Sequence, residues 1–192
     1  MSNIKERIDK LNKIISNNEI KPNMNGDSNF KIFDYDPEDR FIVDDLIQNF
    51  VYENNKDKLI LVDVYKTIID ILKEIDYIDL SISEEKKYGT AYSNKIIQDV
   101  LGIGTRYDDL LKEKIINEIG DSKEKIVILY GLEGCYQLVR GHTILSILEP
   151  IVTENSIIML YPGTYDGQCF KLFNNENLKS DNGYNASIIV GQ

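Results

Sequence analysis

Chemistry in this chain has few parts to work with: one histidine, His142, two cysteines, Cys135 and Cys169, and an acidic run after the first apolar segment. Cys135 and His142 suggest a nucleophile–base pair, in which the imidazole takes the thiol proton. Their spacing opposes it. On one continuous helix seven positions separate them, which is roughly 10 Å of rise against the ~3 Å a thiol–imidazole hydrogen bond needs. Cys169 would reach His142 only through the fold. One histidine and two scattered cysteines also lack the spacing of a zinc site. The acids Asp34, Asp36, Glu38 and Asp39 of FDYDPED could gather a magnesium ion or simply favour a helix start, whose exposed N–H groups attract negative charge.

Arg140 precedes His142 by two positions inside an apolar stretch, with Leu138, Val139, Ile144, Leu145, Ile147, Leu148 and Ile151 around it. A buried arginine there needs a carboxylate, and Asp166 or an acid of FDYDPED would suit. The segment YPGTYDGQ holds two turn pairs, Pro162–Gly163 and Asp166–Gly167. Tyr161, Tyr165 and Gln168 add flat, hydrogen-bonding surface of the kind interfaces use. Arg140, His142, Tyr161, Tyr165, Asp166 and Gln168 are therefore the candidate partner-facing residues. Each has a structural alternative: an ion pair, a hydrogen-bonded core imidazole, a rigid connection. A phosphate-binding loop needs glycines for close backbone approach and a lysine. Here DYDPED follows the first strand instead, and G-x-x-x-x-G-K-[ST] occurs nowhere. YGLEG is the nearest glycine turn, but Glu133 in its middle opposes an anion, which favours a tight strand-to-helix turn.

Five apolar runs read as strands: Phe30–Tyr35, Leu59–Tyr65, Lys125–Gly131, Ser156–Pro162 and Ala186–Gly191. Helical periodicity lies between them and over 3–17, where Ile4, Ile8, Leu11, Ile14 and Ile15 recur at spacings of three and four. Asp36 and Pro37 predict a capped helix start, with Phe41, Leu46, Ile47 and Phe50 inward as far as Asn54. Ile68, Ile69, Leu72 and Ile75 mark the next helix. An excursion over 81–104 is mostly helical, and the helix at 105–120 ends at Gly120. The alternation implies a three-layer α/β sandwich with a mostly parallel five-stranded sheet, in one domain over 1–192. Its helix and linker occupy 1–29 and its sheet core 30–192. The loops FDYDPED, DVYKT, YGLEG and YPGTYDG then share the carboxyl rim, where such sheets bind ligands.

Net charge is −10 and the isoelectric point about 4.7, which argues against a protein whose main task is gripping nucleic-acid phosphates. No apolar run reaches the ~18 residues of a membrane helix. Charges in MSNIKERIDKLNKII stand where a signal peptide has its apolar centre. The expectation is a cytoplasmic protein with no membrane contact, and with both cysteines as buried thiols.

Three blocks, FDYDPED (33–39), VRGHTILSILEPI (139–151) and YPGTYDGQCFKLF (161–173), resemble the BrxB family of the bacteriophage exclusion (BREX) defence system. The likeness rests on Phe33 to Glu38, on Arg140, His142, Leu145 and Leu148, and on Pro162, Gly163, Tyr165, Gly167, Gln168, Leu172 and Phe173, in order from residue 30 onward. The chain departs at Gly141, where the family has serine. It departs again at NGYNASIIV, where the family's terminal strand carries an arginine and two aromatics. The resemblance implies a component of an assembly that includes a DNA methyltransferase, a large ATPase and the alkaline-phosphatase-like protein PglZ. It implies a non-catalytic adaptor that contacts PglZ, without cofactor or small-molecule substrate, on a scaffold similar to a P-loop ATPase core stripped of its phosphate loop. Two alternatives stand beside it. One is a metal-dependent hydrolase or nuclease using Asp34, Asp36, Asp39 and His142. The other is a degenerate nucleotide sensor.

Overall fold

A computed structural model describes residues 4–20, 29–103, 109–149, 154–179 and 186–191. The linker with Pro22 and Gly26, the stop at Gly104, the expected helix start at 105–108, Ile151 and the NGYN stretch at 182–185 lie outside those residues.

Helix α1 (Ile4–Ser16) precedes β1 (Phe30–Tyr35). Helix α2 (Arg40–Leu46) follows a short 3-10 turn at Pro37–Asp39 and widens into a π-type turn over Ile47–Tyr52. Then come β2 (Leu59–Asp63), α3 (Val64–Glu74), the outer pair α4 (Ile78–Tyr88) and α5 (Thr90–Leu101), and α6 (Leu110–Ile119). The second half holds β3 (Ile126–Tyr130), α7 (Leu132–Cys135), α8 (Gly141–Leu148), β4 (Ser156–Tyr165), β5 (Phe170–Leu172) and β6 (Ser187–Ile188). Strand order is β2-β3-β4-β1-β6, all parallel, with β5 antiparallel to the far end of β4.

Period-2 alternation sends the strands' side chains to two buried faces. Ile32, Val62, Leu129, Ile157 and Met159 pack with α3, α6 and α8, through Ile68, Leu72, Ile115 and Leu145. Phe33, Ile128, Ile158 and Leu160 pack with α1 and α2, through Ile8, Leu11, Val43 and Ile47. The sheet is thus covered on both sides, as the expected α/β sandwich requires.

Several expectations need correction. The described residues form six strands rather than five, because Phe170–Leu172 folds back on β4. The last apolar run supplies only Ser187–Ile188. Pro162–Gly163 is not a turn but lies inside β4, with Pro162 paired to Tyr35. Gly163 is needed there because a Cβ would meet the Lys171 carbonyl oxygen at 2.2 Å. Phe41 faces outward at 77% exposure, since the buried stripe runs Val43, Ile47, Val51 at every fourth residue. In α3 the buried set is Val64, Ile68, Ile71 and Leu72, and Ile75 is exposed. Most consequential, Cys135 and His142 do not share a helix. The chain turns after Cys135, with Leu138 and Val139 donating to its carbonyl, and Arg140 is extended.

Candidate functional site at the carboxyl rim and the cleft beside helix 8

The acidic run is divided among structural tasks. Asp34 is the penultimate residue of β1 and is buried. Its Oδ1 accepts from Arg7 Nη2 at 3.0 Å and its Oδ2 from the Tyr165 backbone N–H at 3.3 Å. Arg7 also donates to the Val190 carbonyl, at 2.7 Å from Nη2 and 3.1 Å from Nε, and stacks over Phe33. The cation that answers FDYDPED is therefore Arg7 of α1, not Arg140. Asp36 caps the following turn, accepting from Glu38 N–H at 3.1 Å. Glu38 is exposed and Asp39 half-buried. No group of three histidine, cysteine, aspartate or glutamate side chains among the described residues is placed to hold a metal ion. Of the two readings of the acidic run, the capped start of a helical turn is the one these contacts match, with Glu38 and Asp39 in its first turn and Asp34 paired separately.

The loops after β1, β2 and β3 do meet on one rim. Arg40 Nε lies 2.9 Å from Glu133 Oε1 and 3.6 Å from Asp44 Oδ2. The geometry is that of a charge contact more than a hydrogen bond, because the Nε–H points off the line to either oxygen. Burial holds the Glu133 and Asp44 carboxyls above their ordinary range despite Arg40. Gly131 starts α7 at φ +79°, and a Cβ there would sit 2.4 Å from Asp63 Oδ1. YGLEG is thus a tight turn wedged against β2, as its sequence suggested. Cys135 lies beneath it. Burial, then the charges of Glu133 and Asp63, push its thiol up to about 12, so it is no nucleophile at neutral pH. Cys169 is partly exposed, against the expectation that both thiols are buried.

Arg140, His142 and Tyr161 do come together. Arg140 occupies the N-cap position of α8 without capping it, and its guanidinium lies 5.4 Å from the Tyr136 ring centre. His142 stands in the helix's first turn, half-buried. Burial, and next the Arg140 charge, hold its imidazole below the ordinary 6.5. Gly141 lets the helix start press onto β4, since a Cβ there would be 3.1 Å from Met159 Sδ and 3.6 Å from the Tyr161 ring. These residues line a cleft of about 110 Å³. Leu132, Tyr136, Val139, Phe170, Asn177, Leu178 and Lys179 also line it. Arg140 makes no ion pair among the described residues, which corrects its expected pairing with Asp166.

The other candidates lie along the β4–β5 hairpin. Asp166 Oδ1 accepts from Gln168 N–H at 2.9 Å and Cys169 N–H at 2.7 Å, and these bonds hold its carboxyl below the usual range. Gly167 takes φ +93° between them. Asp166 and Gln168 are exposed. Tyr165 is only 1% exposed, stacks on Phe170 and donates to the Ala186 carbonyl. Tyr161 is 3% exposed. Neither ring presents flat surface to a partner; both support the surface from beneath, and for them the partner-facing expectation is corrected.

Sequence reasoning missed Arg7 and Lys179. Arg7 was recoverable: it falls on the apolar stripe Ile4, Ile8, Leu11, Ile15 of α1, where a charge demands a buried partner. Lys179 carries no such signal.

The whole describes a small α/β protein: a covered parallel sheet, a rim where charges pair across the loops, and a cleft beside the start of α8. The chain belongs to the BrxB family. That family's profile, BREX protein BrxB, matches residues 60–189, which takes in the Arg140–His142 helix and the β4–β5 hairpin. The chain is 30% identical to a BREX protein BrxB of Bacillus cereus (strain H3081.97) across 99% of both chains. It is 29% identical to one of Escherichia coli O9:H4 (strain HS), across 86% of this chain and 82% of that protein. No solved structure matches. Among the described residues no helix is long and apolar enough to cross a membrane.

Proposed function

We propose that this BREX component is a non-catalytic, cytoplasmic adaptor that works through protein–protein contacts, PglZ among them. The observation that carries the reading is the state of its reactive groups. Asp34 is committed to Arg7, Glu133 lies against Arg40, and the Cys135 thiol is buried and neutral. The β1 turn, where a P-loop ATPase core would hold phosphate, is filled by the Asp36 cap and by Pro37, which has no N–H to offer. Exposed apolar groups beside the Arg40–Glu133 contact supply what an adaptor needs. Phe41 is 77% and Tyr65 46% exposed, on a rim that is otherwise charged, and the Asp166–Gln168 turn is a second exposed feature. Co-purification with PglZ tests the reading, using wild type, Phe41→Ser with Tyr65→Ser, and Asp166→Ala with Gln168→Ala. Loss in either double variant, with the fold intact by circular dichroism, is the expected result. Failure of wild type itself to retain PglZ would refute it.

A further inference from the structure

Three hydrogen-bonding side chains open onto the cleft beside α8 and bond to nothing among the described residues: the Arg140 guanidinium, the His142 ring and the Tyr161 hydroxyl. Tyr161 is the telling one. It is 97% buried by its 3% exposure, and a phenol so placed normally finds a partner. Its oxygen is not among the sealed, unsatisfied atoms, so it reaches the open space that the cleft provides. The helix start adds two further donors. The first amides of α8 have no intrahelical acceptor, and no side chain caps them. Lys179 also lines the cleft, and its charge reaches the Asp166 and Glu176 carboxylates.

The Asn177 amide and the imidazole can also accept, but the lining holds no carboxylate, and its charge is carried by one arginine and one lysine. A doubly negative tetrahedral group satisfies both facts, because phosphate oxygens accept from guanidinium, ammonium, helix N–H and phenol alike. At about 110 Å³ the space is well below the ~300 Å³ of pockets that enclose whole drug-sized ligands. It admits a head group, with its carrier lying against Tyr136, Phe170 and Leu178. We propose that this cleft binds a small phosphomonoester borne on an apolar or aromatic group, the phosphate held at the start of α8 by Arg140, Lys179 and the Tyr161 hydroxyl. This goes beyond the adaptor reading and does not depend on it.

The chain's one imidazole makes the test clean. Its carbon–proton NMR signals are followed while phenyl phosphate, inorganic phosphate or benzoate is titrated into the full chain. Phenyl phosphate is expected to move the His142 signals and raise the pH at which they titrate, because a nearby dianion favours the imidazolium. Inorganic phosphate, lacking the ring, should bind more weakly. Arg140→Gln should weaken phenyl phosphate binding by about tenfold or more, as loss of a charge-assisted contact does. Tyr161→Phe, which keeps the ring packing, should weaken it several-fold; it also covers the case in which Arg140→Gln does not fold. Imidazole signals unmoved up to about 10 mM phenyl phosphate, the range of a Kd too weak to matter, would overturn the proposal. So would affinities equal in wild type and both variants, and a benzoate response as strong as that to phenyl phosphate would overturn the phosphate assignment.

Discussion

Replacing Arg7 by methionine tests whether the buried ion pair, and not only apolar packing, fastens α1 to the sheet. Arg7 and Asp34 are each 3% exposed and lie 3.0 Å apart. Methionine keeps most of the aliphatic stem against Ile8 and Phe33 but removes every donor. Asp34 is then left buried with a single backbone N–H at 3.3 Å, and the Val190 carbonyl loses both of its Arg7 donors. Stranding one partner of a buried pair costs about 3–5 kcal/mol, a large share of the roughly 5–15 kcal/mol that holds a domain together. At about 2–4 °C per kcal/mol for a chain of this size, the midpoint should fall by roughly 6–20 °C. Thermal and urea unfolding by circular dichroism measure this. The second arm is the double variant Arg7→Met with Asp34→Leu, which removes both charges. It should recover a substantial part of the loss, because apolar replacement of a whole buried pair is far cheaper than breaking it. A single variant within about 1 kcal/mol of wild type, or a double variant no more stable than Arg7→Met alone, would refute the reasoning.

Gly131→Ala should destabilise by about 1–3 kcal/mol, the range for a side chain forced into a left-handed backbone, and more if Asp63 cannot move from the 2.4 Å contact; urea unfolding checks it. Alkylation with iodoacetamide near pH 8 should label Cys169 and spare Cys135, whose thiol is pushed up to about 12; peptide mass mapping that finds Cys135 labelled first would contradict the burial. The folded state holds His142 below 6.5, so the unfolded chain binds the proton more readily. Its contribution is therefore present above pH 6.5 and is lost as pH falls through the lower folded value. His142→Gln should match wild type's slope of stability above that window and fall less steeply within it, as urea midpoints across pH would show.

The layered sheet was legible because continuous Ile and Val runs have few alternatives to a doubly covered parallel strand. What escaped the sequence was determined by contacts between distant segments. Arg140 looked like a charge buried within a helix, because LVRGHTILSIL keeps apolar residues on either side of it. Glycines at 134 and 141 bracket the break that turns it into the residue before a helix, and a glycine pair so spaced also fits a continuous helix at modest cost. Pro162–Gly163 looked like a turn because the dipeptide usually is one. Only the return of β5, which brings the Lys171 carbonyl against Gly163, makes an extended glycine necessary there. Tyr161 and Tyr165 looked like surface for the same reason: the hairpin that covers them is formed by residues further along the chain.

The contrast between two helix starts explains why the candidate site was expected in one place and found in another. After β1, Asp36 accepts from the Glu38 N–H, Pro37 removes a donor, and Glu38 and Asp39 add negative charge to the first turn. An anion there would meet acids and satisfied amides. At α8 these terms are reversed: the residue before the helix is an arginine, no side chain caps the amides, and the first turn carries no acid. The first start follows β1 directly, whereas α8 begins only after residues 131–140 beyond β3, with α7 and an extended stretch between; the helix dipole has the same sign at both. The side chains around each start set the sign of what it can hold. For that reason exchanging Arg140 for an acid, which rebuilds at α8 the electrostatics of the β1 turn, should abolish anion binding without moving the unfolding midpoint by more than about 1 kcal/mol equivalent. A midpoint that falls by several times that amount would mean that Arg140 holds the cleft's walls together and that its openness to a ligand is incidental.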